Sequence, residues 1–406
     1  MTKIILFIAL SFSLLSNGQT LTWTSSNSAS NNAWNSVTYG IGLFVAVSSS
    51  GTGNRVMTSP DGIAWTSRVS AADNNWSSVT FGNGQFVAVA TNGSGNRVMT
   101  SPDGIVWTSR ASAADNVWNS VTYGNNLFVA ISSAGPGNRI MTSPDGITWT
   151  SPGIPLPGGD ANISWNSITY GNGLFVAVSR SGKRIKTSPD GLTWTTLISP
   201  DDRSWTSVTY GNNMFVAVAY ELGSGNKIMT SPDGVAWTAS VAPGTNRWTS
   251  VTYGNGLFVA VSDGAATNAV MVSTDGINWS NAQASDNKAW KSVAYGNGRF
   301  VAVCWGTDNK VMYTSDVLGK NDLAREKVLI YPNPASDRLF IKIPGAASAD
   351  SAMAKMYDLQ GRLVRECNIN NEDFSIDLNG IGSALYILNV AYGNVNITER
   401  VIVTAK

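Results

Sequence analysis

The sequence is poor in the residues that most enzymes use for catalysis. Its 406 residues include no histidine and two cysteines, and only 13% of them are charged, about half of the usual share. The absence of histidine excludes a Ser-His-Asp triad, a histidine-ligated zinc site and a histidine general base. Cys304 and Cys367 are too few for a disulfide framework and too far apart for a Cys-x-x-Cys metal site. The formal net charge of +1 gives no overall field that would favour nucleic acid or an anionic membrane.

Residues 1–18 have the pattern of a secretory signal peptide. Lys3 precedes an apolar run from Ile4 to Leu15, and the small and polar residues up to Gly18 would allow cleavage before Gln19. The run is too short to span a bilayer as a helix, and no other segment is long and apolar enough for a transmembrane helix. A buried N-terminal strand is the alternative interpretation.

One motif, Trp-x-Ser-[Val/Ile]-[Thr/Ala]-[Tyr/Phe]-Gly, occurs seven times at intervals of 40 to 47 residues. A repeat of about 42 residues is typical of a four-stranded propeller blade. In each repeat, this motif and an apolar Phe-Val-Ala-[Val/Ile] run predict two strands joined by a tight turn, such as Gly82-Asn83-Gly84. Two further strands are predicted on either side of a Ser-x-Asp-Gly turn. The motif begins at Trp34, Trp76, Trp118, Trp165, Trp205, Trp248 and Trp290.

The Ser-x-Asp-Gly turn is followed by a Trp three residues after its Gly, as in Ser59-Pro60-Asp61-Gly62 before Trp65. Pro presets φ, Asp accepts backbone hydrogen bonds and Gly adopts a positive φ, so the segment predicts a tight hairpin. The motif resembles the Asp-box of sialidases and related propellers, although it is one residue shorter. This resemblance implies a structural hairpin away from the active face, and hence a fold rather than an enzyme. The six complete copies end at Trp65, Trp107, Trp149, Trp194, Trp237 and Trp279.

The repeat is divided between the two ends of the repetitive region. The seventh unit stops near Asp316 without its last strand, whereas Leu21 to Thr24 has the sequence of that strand. Pairing of the two ends would close a ring and leave no open strand edge. The sequence therefore predicts an all-β protein with a seven-bladed β-propeller over residues 19–317, closed by an N-terminal strand.

A charged linker at residues 318–327 precedes a different segment, residues 328–406, in which alternating apolar stretches predict a small β-sandwich. This segment resembles the C-terminal sorting domain of the type IX secretion system of Bacteroidota, with Ala384 standing where that family usually has Gly. The resemblance implies export by the outer-membrane machinery, followed by removal of the domain and release or surface attachment. An ordinary accessory β-domain is the alternative. The residues that carry the resemblance are Tyr331, Pro332, Asn333, Pro334, Tyr357, Asp358, Gly361, Arg362, Tyr386 and the terminal Arg400-Val401-Ile402-Val403.

Carboxylates that could catalyse glycoside hydrolysis are scarce. Glycosidases generally need two of them, whereas Glu221 is the only glutamate before the linker and six aspartates belong to the predicted turns. The remaining loop aspartates could still supply a pair across the ring. Loops such as 71–75 also carry oxygen ligands of the kind that Ca²⁺ prefers, although Asp and Asn in loops are more often turn formers. We therefore expect no catalytic centre, no cofactor and no dedicated metal site, with a sialidase-like hydrolase centred near Glu221 as the alternative.

Two sets of repeated residues are candidates for ligand binding on the face opposite the Asp-Gly turns. Trp can stack on sugar rings, and Arg, Lys and Asn can bond to sugar hydroxyls. The alternative is structural, because Trp can pack between blades and cation stems can cover neighbouring aromatic rings. The candidates are Arg55, Arg97, Arg139, Arg184, Lys227 and Lys310 in the loops after the second strands, and Trp34, Trp76 and Trp118 at the starts of the first strands.

Three functions fit these observations. A secreted or cell-surface propeller that binds glycans or proteins without catalysis is the preferred hypothesis, and near-identical blades predict several similar sites. A glycoside hydrolase on the same scaffold and a purely structural surface protein are the alternatives. We expect a monomer that is handled by the type IX secretion machinery and has no nucleic-acid partner.

Overall fold

The computed structural model describes residues 21–135, 138–152, 163–264, 268–306, 310–315, 329–332, 334–342, 352–358, 362–369, 373–392 and 395–404. The proposed signal peptide, the linker, Asn333 and Gly361 lie outside these residues. In the described part all regular elements are β-strands, and none of it forms a helix that could span a membrane. The chain divides into two compact units, Met1–Ser315 and Asp316–Lys406.

Seven antiparallel sheets make up the described part of the first unit, and each begins with a strand that carries the repeated Trp. The first strands are β2 (Trp34–Gly40), β6 (Trp76–Gly82), β10 (Trp118–Gly124), β13 (Trp165–Gly171), β17 (Trp205–Gly211), β21 (Trp248–Gly254) and β25 (Trp290–Gly296). The second strands, which hold the apolar run, are β3 (Leu43–Ser48), β7 (Gln85–Ala90), β11 (Leu127–Ser132), β14 (Leu174–Ser179), β18 (Met214–Ala219), β22 (Leu257–Ser262) and β26 (Arg299–Cys304).

The outer strands follow in the order of the chain. The third strands are β4 (Val56–Ser59), β8 (Val98–Ser101), β12 (Ile140–Ser143), β15 (Arg184–Ser188), β19 (Asn226–Ser231), β23 (Val270–Ser273) and β27 (Lys310–Thr314). The fourth strands are β5 (Thr66–Arg68), β9 (Thr108–Arg110), β16 (Thr195–Ile198), β20 (Thr238–Val241) and β24 (Ser280–Ala282). The sheet of β10, β11 and β12 has three strands, with an isolated bridge between Thr142 and Thr150 in the place of a fourth.

The fourth strand of the last sheet comes from the start of the described chain. β1 (Trp23–Asn27) pairs antiparallel with β27, in a register that runs from Trp23 opposite Thr314 to Asn27 opposite Lys310. The sheet order is therefore β1-β27-β26-β25. Contacts between first strands run from β2 through β6, β10, β13, β17 and β21 to β25, and β25 in turn contacts β2.

The repeated motif is explained by packing between neighbouring sheets. Its Trp residues are buried, and the second strands beside them are buried on both faces. Its Ser accepts a hydrogen bond from a backbone amide of the next sheet, as in Val79 N to Ser36 Oγ at 3.1 Å. Its Gly lies directly under an aromatic ring of the next sheet, since a Cβ on Gly40 would be 2.2 Å from the Phe81 ring. Each position of the motif thus meets the same packing requirement in every sheet.

The Asp-Gly turns are rigid hairpins held by side-chain hydrogen bonds. Asp61 Oδ1 accepts from the amides of Ile63 at 2.9 Å and Ala64 at 3.0 Å, and Ser59 Oγ accepts from the amide of Gly62 at 2.8 Å. These turns lie at the end of the sheet where Phe44 pairs with Ser59, whereas Trp34 pairs with Ser48 at the other end. The starts of the first strands are therefore on the face opposite the turns.

The second unit consists of two sheets. One has the order β28 (Leu329–Tyr331), β29 (Arg338–Lys342), β32 (Asp373–Asp377); the other has the order β31 (Leu363–Ile369), β30 (Ala352–Tyr357), β33 (Ala384–Tyr392), β34 (Val395–Val403). Leu339 and Ile376 of the first sheet share one buried apolar core with Met356, Leu388 and Val401 of the second. The two sheets thus form a small sandwich.

Candidate functional site

The three candidate tryptophans are structural residues. Trp34, Trp76 and Trp118 each have 0% exposed surface, so no indole face is free to stack on a sugar. Each Nε1 donates to a backbone carbonyl four residues earlier, at 3.3, 3.1 and 3.0 Å. The expectation that they contact a ligand is wrong in this structure, because the indoles fill the space between sheets.

Most of the candidate cations hold neighbouring sheets together. Arg97 Nη1 donates to the carbonyl of Thr91 at 3.1 Å in its own sheet and to that of Asn116 at 2.8 Å before the next one. Burial also lowers the pKa of two of these cations, Arg139 and Lys227. Comparable bonds from one sheet to the next are made by Arg55, Arg139 and Lys227. These donors are used within the protein, which gives the four cations a packing role, and their contact with a ligand stays a prediction.

The other two candidate cations, Arg184 and Lys310, are not at a shared site. Arg184 is half-buried at the start of β15. Lys310 Nζ donates to Asn27 Oδ1 at 3.0 Å, across the pairing of β27 with β1. Neither residue lines the central cavity described below.

Glu221, the candidate centre of the hydrolase alternative, is engaged in an ion pair. Its Oε2 lies 2.5 Å from Arg203 Nη1, and its Oε1 accepts from the amide of Ser204 at 3.0 Å. The hydrogen bond to Glu221 is the main reason why the pKa of Arg203 is raised. A carboxylate held in this way orders the loop before β17 and has little freedom to act as a nucleophile.

A cavity of about 520 Å³ is shared by all seven first strands. Two motif positions form most of its wall, namely the residue after each Trp and the Ser that follows. These wall residues are hydroxyl or amide side chains in every sheet except the last. They are Asn35, Ser36, Ser77, Ser78, Asn119, Ser120, Asn166, Ser167, Thr206, Thr249, Ser250, Lys291 and Ser292.

The residue after the Trp differs in the last sheet. In the other sheets its side chain donates to a backbone carbonyl of the following sheet, as in Asn35 Nδ2 to Trp76 O at 2.8 Å and Thr249 Oγ1 to Trp290 O at 2.7 Å. Lys291 occupies this position in β25, and its ammonium donates no hydrogen bond to any described residue. The Lys291 side chain is reached by water, yet the surrounding strands crowd it enough to lower its pKa by desolvation.

The residue directly after each second strand, here called the rim position, also differs among the sheets. Its backbone geometry is constant, because its amide bonds to the residue before the repeated Trp, for example Thr91 N to Asn75 O at 3.0 Å and Trp305 N to Ala289 O at 2.8 Å. From the first sheet to the last, the side chains change from small and neutral to large or charged. In chain order they are Ser49, Thr91, Ser133, Arg180, Tyr220, Asp263 and Trp305.

The large rim residues and Lys291 form one charged side of the cavity, composed of Arg180, Tyr220, Asp263, Lys291 and Trp305. Tyr220 Oη donates to Asp263 Oδ2, and burial together with this carboxylate raises the pKa of Tyr220. Asp263 Oδ1 also accepts from Arg247 Nε at 3.0 Å. These bonds fix the positions of the phenol and the carboxylate.

Three groups on the charged side remain available to a ligand. The Arg180 guanidinium lies 5.8 Å from the centre of the Tyr220 ring and donates no hydrogen bond to a described residue. The Lys291 ammonium likewise has no bonded acceptor among the described residues. Trp305 is 56% exposed, which is far more than any of the repeated tryptophans. The site can therefore offer two cations and an aromatic face beside a wall of hydroxyl and amide groups.

The site could not be identified from the repeated motifs, because its residues lie at positions where the repeats differ. The signal was present in the positions that do not repeat. After Phe-Val-Ala-[Val/Ile]-x the sequence changes from Ser or Thr to Arg, Tyr, Asp and Trp, and Lys291 interrupts the Asn, Ser and Thr series after the repeated Trp.

The described residues include no group of three or more side chains suited to a metal ion. Asp73, in the loop considered for Ca²⁺, accepts from the amide of Gly53 at 2.7 Å and lies 3.6 Å from Arg55 Nε. This carboxylate thus has a structural role.

The sorting-motif residues lie in and beside the strands of the second unit. Tyr331 stacks on Phe340 with 5.7 Å between ring centres. Asp358 bonds to Arg362 through the Nε atom at 2.7 Å and the amide at 2.9 Å. Pro332 and Pro334 are exposed, Tyr357 is half-buried at the end of β30, and Tyr386 Oη donates to Gly382 O at 2.8 Å.

Comparison with known families identifies the second unit. Residues 329–404 match the secretion system C-terminal sorting domain. The protein is therefore exported by the type IX secretion system to the cell surface or the medium, and its C-terminal tail is removed. A search of curated proteins found no match to the chain.

Comparison with solved structures identifies the fold of the first unit. Virginiamycin B lyase from Staphylococcus aureus is 14% identical, with a TM-score of 0.62, and the match covers 73% of this chain and 99% of that one. PorZ, a surface component of the type IX secretion system of Porphyromonas gingivalis, is 14% identical, with a TM-score of 0.52 and coverage of 92% and 59%. The extracellular domain of a hybrid two-component system from B. thetaiotaomicron is 10% identical, with a TM-score of 0.55 and coverage of 95% and 60%. The fold is β-propeller-like. At these identities the similarity shows the fold alone.

Proposed function

We propose that this protein is a non-enzymatic β-propeller of the cell surface or the medium that binds a glycan or protein ligand at the charged side of its central cavity. The observation that carries this proposal is the loss of repetition at the rim position. Packing alone would favour the same small residue in every sheet, as in the first three. Four successive large or charged residues at one backbone position have no such packing reason, since Trp305 and Arg180 reach into the cavity rather than into a core.

The proposal includes a closed ring of seven blades with Asp-box-like hairpins. Support comes from the seven sheets of the described unit, from the pairing of β1 with β27 and from the contact of β25 with β2. A hydrogen bond from Val37 N to Ser292 Oγ at 3.2 Å repeats, between the last sheet and the first, the bond made between the other neighbours. We further propose the boundaries given above: a signal peptide over 1–18, the propeller over 19–317, a linker over 318–327 and the sorting domain over 328–406.

A glycan fits the cavity better than an apolar ligand does. The wall presents hydroxyl and amide groups, which match the hydroxyls of a sugar, and the exposed indole of Trp305 can lie against the apolar face of a sugar ring. The described wall offers no apolar pocket of the kind that small hydrophobic ligands need.

The hydrolase alternative is less well supported by the cavity. Hydrolysis of a glycosidic bond generally requires two carboxyl groups across the scissile bond. Among the described residues that line the cavity Asp263 is the only carboxylate, and both of its oxygens already accept hydrogen bonds from Tyr220 and Arg247.

Binding of the full chain from Gln19 onward to a glycan array tests the proposal. We expect Trp305→Ala to weaken the binding of any glycan that scores, and Val69→Ala, at a 73% exposed residue directly after β5, to leave it unchanged. No binding to glycans or to surface proteins of the host cell would favour a purely structural role. Turnover of a glycoside that Glu221→Gln abolishes would favour the hydrolase.

A further inference from the structure

We propose that the charged side of the cavity binds the carboxylate groups of an acidic polysaccharide. This inference rests on the proposed glycan-binding function and specifies the class of glycan. It follows from the charges that remain unpaired in the cavity, from the rigidity of their support and from the aromatic face beside them.

The first step concerns charge. Among the described residues of this region, Arg180, Arg247 and Lys291 lie around one carboxylate, that of Asp263, which gives an excess of two positive charges in a chain whose total formal charge is +1. Arg247 neutralises Asp263 at 3.0 Å. Within the part of the chain that the structure describes, the positive charges of Arg180 and Lys291 are therefore left without a bonded anion.

The second step concerns geometry. The Tyr220 ring supports two guanidinium groups, with Arg247 at 4.9 Å and Arg180 at 5.8 Å from its centre, and the bond from Tyr220 to Asp263 holds this ring in place. A guanidinium that lies over an aromatic ring keeps its edge donors free, and two parallel N–H groups match the two oxygens of a carboxylate. Arg180 is thus oriented for a carboxylate that enters the cavity.

The third step concerns Lys291. At the equivalent position of the other sheets a neutral Asn, Ser or Thr uses its donor inside the protein, whereas Lys291 places an ammonium in the cavity. Crowding by the surrounding strands disfavours its charged form, as the lowered pKa indicates. An anion beside Lys291 would offset this cost, so the site gains more from an acidic ligand than from a neutral one.

The fourth step distinguishes a sugar chain from an acidic peptide. Peptides are recognised in apolar side-chain pockets, by addition to an open strand edge or, when acidic, by clusters of Arg. The wall beside the cations therefore has to distinguish an acidic peptide from an acidic sugar chain. The described wall consists of Ser, Thr and Asn side chains on strands that are already paired within their sheets. An exposed indole beside hydroxyl and amide groups instead fits a pyranose ring, and Trp305 supplies that face.

The test uses the purified chain from Gln19 to Lys406 and isothermal titration calorimetry. The probes are oligosaccharides of polygalacturonate, alginate, hyaluronan and polysialic acid, each beside its methyl-esterified form, together with dextran sulfate and poly-L-glutamate. We expect at least one carboxylated probe to bind about tenfold or more tightly than its ester, since each charge-assisted bond contributes about this factor. Arg180→Gln and Lys291→Gln should each weaken the acidic form by about tenfold and the ester only slightly. Trp305→Ala should weaken both forms.

A matched control is Lys310→Gln, which removes a half-buried cation that does not line the cavity. This variant should bind as the natural protein does. Equal affinity for acid and ester, with dependence on Trp305, would overturn the inference but leave the proposed glycan binding intact. Preference for dextran sulfate or for poly-L-glutamate that depends on Arg180 would assign the site to general polyanions or to acidic proteins, and would likewise overturn it. If no carboxylated probe bound and no glycan on the array depended on Trp305, both the inference and the glycan-binding function would be wrong.

Discussion

A single hydroxyl group tests whether the first and last sheets are neighbours in a closed ring. Ser292 Oγ accepts the amide hydrogen of Val37 at 3.2 Å, and these residues belong to the last and first repeats. Ser78 Oγ accepts the amide hydrogen of Val121 at the same distance, between two consecutive repeats. Val37 and Val121 are buried to the same degree, with 6% and 5% of their surface exposed. The two bonds are therefore equivalent if the ring is closed.

Replacement of Ser292 by Ala leaves the amide of Val37 without its acceptor. An unsatisfied donor of this kind costs about 1–3 kcal/mol of unfolding free energy, and water in the nearby cavity should keep the value near the lower end, about 1–2 kcal/mol. Each kcal/mol of lost stability corresponds to a fall of about 2–4 °C in the Tm of a large domain. Urea titration and calorimetry of the full chain measure both quantities.

The matched variant Ser78→Ala supplies the control. A closed ring predicts the same loss of stability for Ser292→Ala and Ser78→Ala, within a few tenths of a kcal/mol. If Ser78→Ala were destabilising while Ser292→Ala had no effect, the last sheet would not pack on the first in solution, and the closed ring would be refuted.

Three further predictions concern strand β1, the acid sensitivity of the Asp-Gly turns and export. Trp23→Ala should cost about 3–5 kcal/mol, because the side chain is 93% buried in a sheet that joins both ends of the unit, and unchanged thermal unfolding would contradict this. Burial alone would raise the pKa of Asp275, but hydrogen bonds from Asn278, Ile277 and Ser273 lower this pKa to about 2. The stabilisation by the Asp275 carboxylate is therefore complete above the pKa of 3.8 in the unfolded chain and is lost as the pH falls towards 2. Asp275→Asn should accordingly lower the free energy of unfolding at pH 7. Between pH 5 and pH 2.5 the free energy of unfolding of this variant should fall less than that of the natural protein, as measured by urea titration. A chain that ends at Ser315 should remain in the periplasm of the native host, and normal arrival at the surface or in the medium would show that the second unit is not needed for export.

Much of the fold could be predicted because the same contacts recur in every sheet. The Trp-x-Ser-…-Gly motif fills one intersheet space, provides one intersheet hydrogen bond and leaves room for one aromatic ring, so its sequence repeats wherever that packing repeats. The Ser-x-Asp-Gly segment is equally explicit, since Asp61 and Ser59 satisfy the turn's amides. The sequence predicts the first strand at Leu21 to Thr24 because that segment repeats the end of the motif, and β1 lies about two residues further on, at Trp23–Asn27.

The candidate site could not be found by the same reasoning. Residues that serve packing recur among the sheets, and Trp34, which is buried, and Arg97, which bonds one sheet to the next, are examples. In the proposed function a ligand binds at one place in the cavity, so the residues that bind it need not repeat. Trp305 and Lys291 are conspicuous only after the backbone shows that they occupy positions where other sheets have small polar side chains.

The number of ligand molecules bound per chain tests the account most directly. Seven near-identical repeats that bind through their own loops would take up several ligands per chain with similar affinity, and Arg55→Ala or Arg97→Ala would weaken that binding. The proposed function instead predicts one ligand per chain, bound at the charged side of the cavity. Calorimetric titration of the full chain with an acidic oligosaccharide should give a stoichiometry of one and a heat signal that is lost in the combined Arg180→Gln, Lys291→Gln, Trp305→Ala variant. A stoichiometry near seven, unaffected by these three changes, would contradict the account.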